Sequence, residues 1–463
     1  MSAKNKIKGV ISKLKPYFKT KLSKNDPTQD KIKEIMGRFQ TSDSSRKNGP
    51  ATYLGQTPDI FKAYETKNPD DLPIPQCVQF EITNFCTTGC RMCFRWTWTN
   101  QKEYDASVEL TTERQIELFK ELADLGVKTF LWTGGEPVSH PEFIRLIKAA
   151  HSFGVKVGVL SNGVGITPEI ADAMVEHGSW VRISQDDVKT DFAKKNVRRV
   201  LEAPAYGKDH GDIFEELDKS ISNLNASMKK IKDHNFSIGL AFTIQKNNIK
   251  SIPAMVRYAE KNKIKASMKL AHGEGGKYLC TKEDLDWLKS EVLTDDKLLN
   301  SPYSNLNYLK DYFLKLLDEK DIIEGMPTRK YYGKNEITCF TTELFSLIDA
   351  FGRTYVCCHL YDDNGTFQSD QREKYNIGSV VENSFESVWR SNAYQKIRKE
   401  LSPIDVCNMH CSNCTRHWVP NTVLTELHRE VFVPLKNELG IDKALKEYKK
   451  AVSGLSTDTP VWH

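Results

Sequence analysis

Three cysteines, Cys86, Cys90 and Cys93, stand in the run Cys86-Thr87-Thr88-Gly89-Cys90-Arg91-Met92-Cys93, directly after an apolar stretch. Thiolates are soft ligands that select iron-sulfur clusters or zinc, and such sites normally use four cysteines. Three in one loop therefore imply a fourth ligand from elsewhere or an iron left open. From ligand type alone, a zinc knuckle and three unrelated buried cysteines remain open as readings. A second set, Cys339, Cys357, Cys358, Cys407, Cys411 and Cys414, lies far down the chain. Between the two comes Thr133-Gly134-Gly135-Glu136-Pro137, in which the glycines permit close backbone approach and the carboxylate can accept hydrogen bonds from an ammonium.

The cysteine spacing followed by Gly-Gly-Glu-Pro resembles the radical S-adenosylmethionine (radical SAM) superfamily. The resemblance implies that Cys86, Cys90 and Cys93 hold a 4Fe-4S cluster whose open iron chelates SAM, with Gly134, Gly135, Glu136 and Pro137 beside the SAM amino group. It places Ser184 against the SAM ribose, with Ser161 and Asn162 as neighbouring candidates. The residue before the third cysteine is usually aromatic in that family and is Met92 here, which leaves adenine packing open; Phe85, Phe94, Trp96 and Trp98 are nearby stacking surfaces. Reductive cleavage of SAM to a 5′-deoxyadenosyl radical, which takes hydrogen from an unactivated carbon, is the implied chemistry.

The second set resembles the SPASM or shorter twitch extension of that superfamily. By that resemblance Cys339, Cys357, Cys411 and Cys414 hold one auxiliary 4Fe-4S cluster. Cys358 and Cys407 are substitutes within the set, Cys77 and Cys280 read as buried small residues, and structural zinc is the competing reading.

These groups need a scaffold. Alternation at Val78, Phe80 and Ile82 reads as a strand ending at the cysteine loop, and further strands are expected over 127–132, 155–160, 180–184, 236–244 and 266–271. Helical patterns fall between them, with capping boxes expected at Thr112/Gln115 and Ser139/Glu142, and Pro168 at a first helical position. The rhythm predicts an α/β fold: a partial (β/α)6 TIM-like barrel with a C-terminal cysteine-rich SPASM/twitch-like extension. Polar groups recur at the carboxyl ends of the strands, where parallel barrels build their sites. The expected divisions are a basic tail and lead-in (1–75), the barrel (76–275), a helical connector (276–335), the auxiliary-cluster domain (336–420) and a C-terminal helical segment (421–463).

Composition narrows the class. The chain has 463 residues, and 66 Lys and Arg against 61 Asp and Glu give a net charge of +5, a near balance that does not indicate nucleic-acid binding. Eleven cysteines in close-spaced clusters, with no leader-like segment or membrane span, point to a reducing cytoplasm. Residues 1–25 are lysine-rich and read as a flexible tail, with membrane contact the lesser reading. Residues 1–75 lack the three-strand pattern of a leader-binding module. The substrate is therefore expected to be a small molecule such as a sugar or nucleotide derivative, handled by oxidoreductase-type chemistry. A peptide or protein maturase is the alternative, and a zinc- or cluster-binding interaction protein the non-enzymatic one. The basic cluster Lys194, Lys195, Arg198 and Arg199 reads as a solvated face; Asp186, Asp187, Lys269 and His272 are possible proton-transfer groups. A reducing electron donor such as flavodoxin or ferredoxin is implied.

Overall fold

Six short runs, each bounded by turn residues, form parallel strands: β1 Cys77–Thr83, β2 Thr129–Gly134, β3 Lys156–Ser161, β4 Trp180–Ser184, β5 Ser237–Ile244 and β6 Lys265–Leu270. They pair in chain order, each parallel to the next. Helices Thr112–Asp124, Phe143–Ser152, Pro168–His177, Ile213–Lys230 and Ile252–Asn262 fall between or beside them as crossovers. The expected partial (β/α)6 barrel is thus present. The computed structural model describes residues 26–38, 54–88, 90, 93, 105–186, 188, 213–271, 280–307, 309–310, 314, 338–357, 374–401, 418–453 and 455.

Strand alternation sorts the side chains into two faces. Val78, Phe80, Phe130, Trp132, Val159 and Ile183 join the main core beneath the helices. On the opposite face Cys77, Leu131 and Trp180 form a small separate cluster. Gly158 lies under the Trp180 ring, which a Cβ there would meet at 2.2 Å. This patch closes the bottom of the inner face. Higher on that face, Arg182, Ser184, Ala241 and Thr243 are half-buried, and Ser267 and Lys269 are exposed.

Three more strands extend the same sheet beyond β1. β7, Phe345–Ile348, pairs parallel to β1, and β8, Arg353–Tyr355, turns back antiparallel before β9, Asn376–Ser379. The β7–β8 turn is set by Asp349, whose Oδ1 accepts the Phe351 and Arg353 N–H groups at 3.0 and 2.8 Å. Gly352, at φ 78°, completes it. The β7–β8 hairpin is therefore the link between barrel and extension. Side-chain clamps hold the extension down: Arg114 donates to Val380 O and Asn383 O, and Arg390 to Pro69 O and Leu72 O.

A second core lies on the far side of β7 and β8. Phe345, Leu347 and Tyr355 pack there with Phe61, Phe340, Phe432 and Tyr448. The helices Pro27–Arg38 and Thr57–Thr66 meet the C-terminal helices Trp418–Leu427 and Ile441–Ser453 in this core. Within the lead-in, helix Thr57–Thr66 and the 3-10 turn Pro69–Asp71 precede the stretch that enters β1. The basic tail 1–25 lies outside the described residues.

Two capping expectations differ from the structure. Thr111 is the N-cap of helix Thr112–Asp124 and accepts the Arg114 N–H. Gln115 instead donates to Ile82 O and Leu110 O, anchoring the helix to the end of β1. Ser139 ends a 3-10 turn, and Glu142 precedes helix Phe143–Ser152 without a side-chain cap. The expectation at Thr167 and Pro168 holds, with the Thr167 hydroxyl accepting the Ile170 N–H. Among the described residues no helix is long and apolar enough to cross a membrane.

Candidate active site

β1 runs straight into the cysteine loop, and β2 ends beside it. The Gly135 N–H donates to Thr83 O at 2.9 Å and the Glu136 N–H to Phe85 O at 2.6 Å, extending the β1–β2 ladder past both strands. The approach admits no side chain. A Cβ on Gly135 would lie 2.0 Å from Phe85 O, and one on Gly134, at φ 129°, 2.2 Å from Thr83 O.

Glu136 is fully buried. Its Oε1 accepts the Ser161 hydroxyl at 2.7 Å and the Val138 N–H at 3.3 Å, while Oε2 accepts the Asn162 N–H at 2.5 Å. The carboxylate therefore joins the ends of β2 and β3. Buried charge is tolerated where such donors surround it. Pro137, also buried, opens the following 3-10 turn.

Asn162 faces the cysteine loop. Its Nδ2 lies 3.0 Å from Thr87 Oγ1, 3.2 Å from Thr88 Oγ1 and 3.7 Å from Cys86 Sγ. Thr88 Oγ1 in turn sits 3.6 Å from both Cys86 Sγ and Cys90 Sγ. The Cys93 N–H donates to Cys90 O at 3.0 Å, closing the turn that carries the third thiol. Burial, with Cys90 and Glu136 nearby, pushes the Cys86 thiol up to about 11. Coordination must therefore displace a proton there, and metal loading is coupled to proton release.

Among the described residues no three His, Cys, Asp or Glu side chains are arranged to hold one metal ion. A cubane cluster requires something different: three thiolates on three separate irons. Three half-buried thiols on one loop, beside a glycine cradle too tight for any Cβ, fit that donor pattern.

At the other expected cluster, Cys339 is half-buried and Cys357 buried. Both lie near enough to Tyr394 for a charge on either to act on its hydroxyl. Asn421 Nδ2 approaches Cys339 Sγ at 3.8 Å and Thr341 Oγ1 at 3.2 Å. Cys358, Cys407, Cys411 and Cys414 lie outside the described residues, as do Met92, Phe94, Trp96, Trp98, Asp187, His272, Lys194, Lys195, Arg198 and Arg199.

The remaining candidates are dispersed. Ser184 is half-buried at the end of β4. Asp186 is buried and accepts the Thr243 N–H at 3.2 Å, a link between β4 and β5. Lys269 is exposed on β6, Phe85 is buried at the loop, and Cys77 sits in the inner-face floor. Cys280 is half-buried, its thiol raised to about 12 chiefly by burial. Sequence reasoning missed Thr88 and the Asn162 amide as partners of the cysteine sulfurs. The available signal was Ser161-Asn162-Gly163 at a strand end adjoining the loop.

A parallel partial barrel with three thiols and a glycine cradle at adjoining strand ends is the arrangement that the resemblance to the radical SAM superfamily implies, at the face where parallel barrels build their sites. The Radical SAM superfamily model matches residues 80–225, and the SPASM iron-sulfur cluster-binding domain model matches residues 339–415. The chain belongs to the radical SAM superfamily, with a SPASM domain toward its C-terminus. It is a radical SAM enzyme whose cofactors are a 4Fe-4S cluster, SAM and auxiliary iron-sulfur.

The chain is 23% identical to an Fe-coproporphyrin III synthase of Methanosarcina barkeri, over 73% of this chain and 79% of that one. It is 30% identical to a PqqA peptide cyclase of Ruegeria pomeroyi, over 27% of this chain and 32% of the relative. It is also 27% identical to a tungsten-containing aldehyde ferredoxin oxidoreductase cofactor-modifying protein of Pyrococcus furiosus, over 38% and 46%. The last two matches thus span less than half of those relatives. Among solved structures it is similar to Streptococcus suis SuiB bound to S-adenosylmethionine, with 16% identity, a TM-score of 0.49 and coverage of 80% and 76%.

Proposed function

We propose that this chain is a peptide-modifying radical SAM maturase. The observation that carries the reading is the relatedness of a stretch of the chain to PqqA peptide cyclases, 34% identical over 125 residues for that of Rhizobium meliloti. This favours a peptide over the sugar or nucleotide derivative expected from the sequence. The pattern of residues 1–75 bears on one accessory module, not on a class of substrate.

When bound, the reduced cluster and SAM supply a 5′-deoxyadenosyl radical that takes hydrogen from an unactivated carbon. The chain's residues bind and orient. Cys86, Cys90 and Cys93 would hold the first cluster, and Gly134 to Pro137 would receive the amino group of SAM. Ser184 is the candidate ribose contact. Cys339, Cys357, Cys411 and Cys414 would hold the auxiliary cluster, which would supply a second redox group to the site. Cys77, Leu131 and Trp180 close the inner-face floor against water. Arg182, Thr243 and Lys269 give the remaining face polar and cationic groups for substrate. A flavodoxin- or ferredoxin-type protein would serve as the reducing donor.

A second reading is modification of a tetrapyrrole, favoured by the match to the coproporphyrin enzyme over 73% of the chain. Basic groups on the inner face would meet its carboxylates.

The test is anaerobic reconstitution and reduction, followed by incubation with SAM and either deuterated candidate precursor peptides or deuterated coproporphyrin. Peptide modification with deuterium transferred into 5′-deoxyadenosine is expected. Transfer from the porphyrin alone would replace the first reading with the second. Absence of 5′-deoxyadenosine under every condition would overturn both.

A further inference from the structure

We propose that Asn162 is a positioning residue of the first cluster, its side-chain amide donating a hydrogen bond to the Cys86 sulfur and thereby setting the cluster's reduction potential. The inference rests on Cys86 being a ligand, as assigned above.

The orientation of the amide is fixed by its surroundings. Asn162 Oδ1 lies 2.8 Å from the Val164 backbone nitrogen, which can only donate. Oxygen must therefore occupy that position, and Nδ2 must face the loop. There it lies 3.7 Å from Cys86 Sγ and within 3.2 Å of the Thr87 and Thr88 hydroxyl oxygens. The Asn162 backbone is held as well, because its N–H donates to the buried Glu136 carboxylate. Both ends of the residue are thus locked.

Thr88 extends the effect. Its oxygen accepts from Asn162, which leaves its own proton for Cys86 Sγ or Cys90 Sγ, each 3.6 Å away. Hydrogen bonds to cluster sulfurs favour the more negative, reduced state and raise the potential. The nearby Glu136 charge acts in the opposite direction, so the amide stands between a buried anion and a cluster that must accept an electron. The amide's two N–H groups are shared among these three acceptors, one of them between the Cys86 sulfur and a neighbouring threonine oxygen, so the amide serves the loop and the ribose contact falls to Ser184.

The holoprotein tests this with two measurements on the EPR signal that responds to SAM. In the wild-type protein labelled with 15N at the asparagine side-chain amide, pulsed EPR should show a 15N coupling that is absent from Asn162→Asp. Lack of any such coupling in the wild-type protein would overturn the proposal, whatever the variant does. Asn162→Asp keeps the acceptor for Val164 and removes the donor. It should retain iron and sulfide while its midpoint moves to a more negative potential, a change of about tenfold in the reduced-to-oxidised ratio, or about 59 mV for one electron. An unchanged midpoint would also overturn it. Persistence of the SAM-responsive signal in Cys86→Ala would instead refute the ligand assignment.

Discussion

Arg398 and Glu343 form an ion pair in the interior, with Arg398 Nη2 3.2 Å from Glu343 Oε1 and side-chain exposures of 0% and 1%. The pair is fully embedded. Arg398 also donates to Gln395 Oε1 at 2.7 Å and Ala63 O at 3.0 Å, and Glu343 accepts the Thr342 hydroxyl at 2.6 Å. Arg398 thus joins helix Asn392–Glu400 of the extension to helix Thr57–Thr66, four residues from Cys339 in the Glu343 turn.

Removing one member of such a pair leaves the other charge uncompensated. Arg398→Met is expected to lower stability by about 3–5 kcal/mol, whereas Arg398→Met with Glu343→Leu should recover much of it. Urea unfolding of the two variants checks this. Because Glu343 lies near Cys339, the single variant should also lose auxiliary iron before it loses the cluster at Cys86.

Gly135→Ala places a methyl group 2.0 Å from a backbone oxygen that cannot swing aside. The end of β2 must then separate from the cysteine loop. The expected result is loss of SAM-responsive cluster and a substantial fall in thermal midpoint. Gly37→Ala is the control: it lies in helix Pro27–Arg38, where a Cβ meets nothing within 4 Å. It should stabilise by about 0.5–1 kcal/mol.

The barrel was legible because strand periodicity and strand-end motifs coincide. β4 was read at its observed bounds, and the other five barrel strands to within about two residues. Capping was less legible. Thr111 and Thr112 are chemically interchangeable as caps, and only the location of the Ile82 carbonyl draws Gln115 away from its own helix. Links across long separations were not readable: Asn162 meets a cysteine 76 positions away, and Arg398 a glutamate 55 positions away. Pairing of β7 alongside β1 belongs to the same kind, since a short strand carries no mark of its neighbour.

Acid should loosen the molecule in two stages. Burial lowers the His140 imidazole to about 4, so the folded state resists a proton that the unfolded chain accepts near 6.5. Stability from this group is intact above 6.5 and is lost as pH falls toward 4. Glu65, bonded to His428 and Lys436, is held down to about 2. Its contribution is present above 4.5 and is lost as pH falls through 2. Unfolding midpoints from pH 7 to 3 should decline in both windows, with His140→Gln flattening the upper and Glu65→Gln the lower. A wild-type midpoint constant from pH 6.5 to 4 would contradict the first assignment.

The two cysteine sets should load separately, because they occupy different ends of the sheet's cysteine-bearing elements: the loop after β1, and the segment before β7 with the end of the β7–β8 hairpin. Reconstituted protein should hold about eight iron and eight sulfide per chain if each set carries one 4Fe-4S cluster. Replacing Cys86, Cys90 and Cys93 by Ala should halve that content and abolish SAM cleavage. Replacing Cys339 and Cys357 should likewise halve it while the SAM-responsive EPR signal persists. Loss of all iron from the first variant, with folding shown intact by circular dichroism, would mean that the sets assemble as one unit.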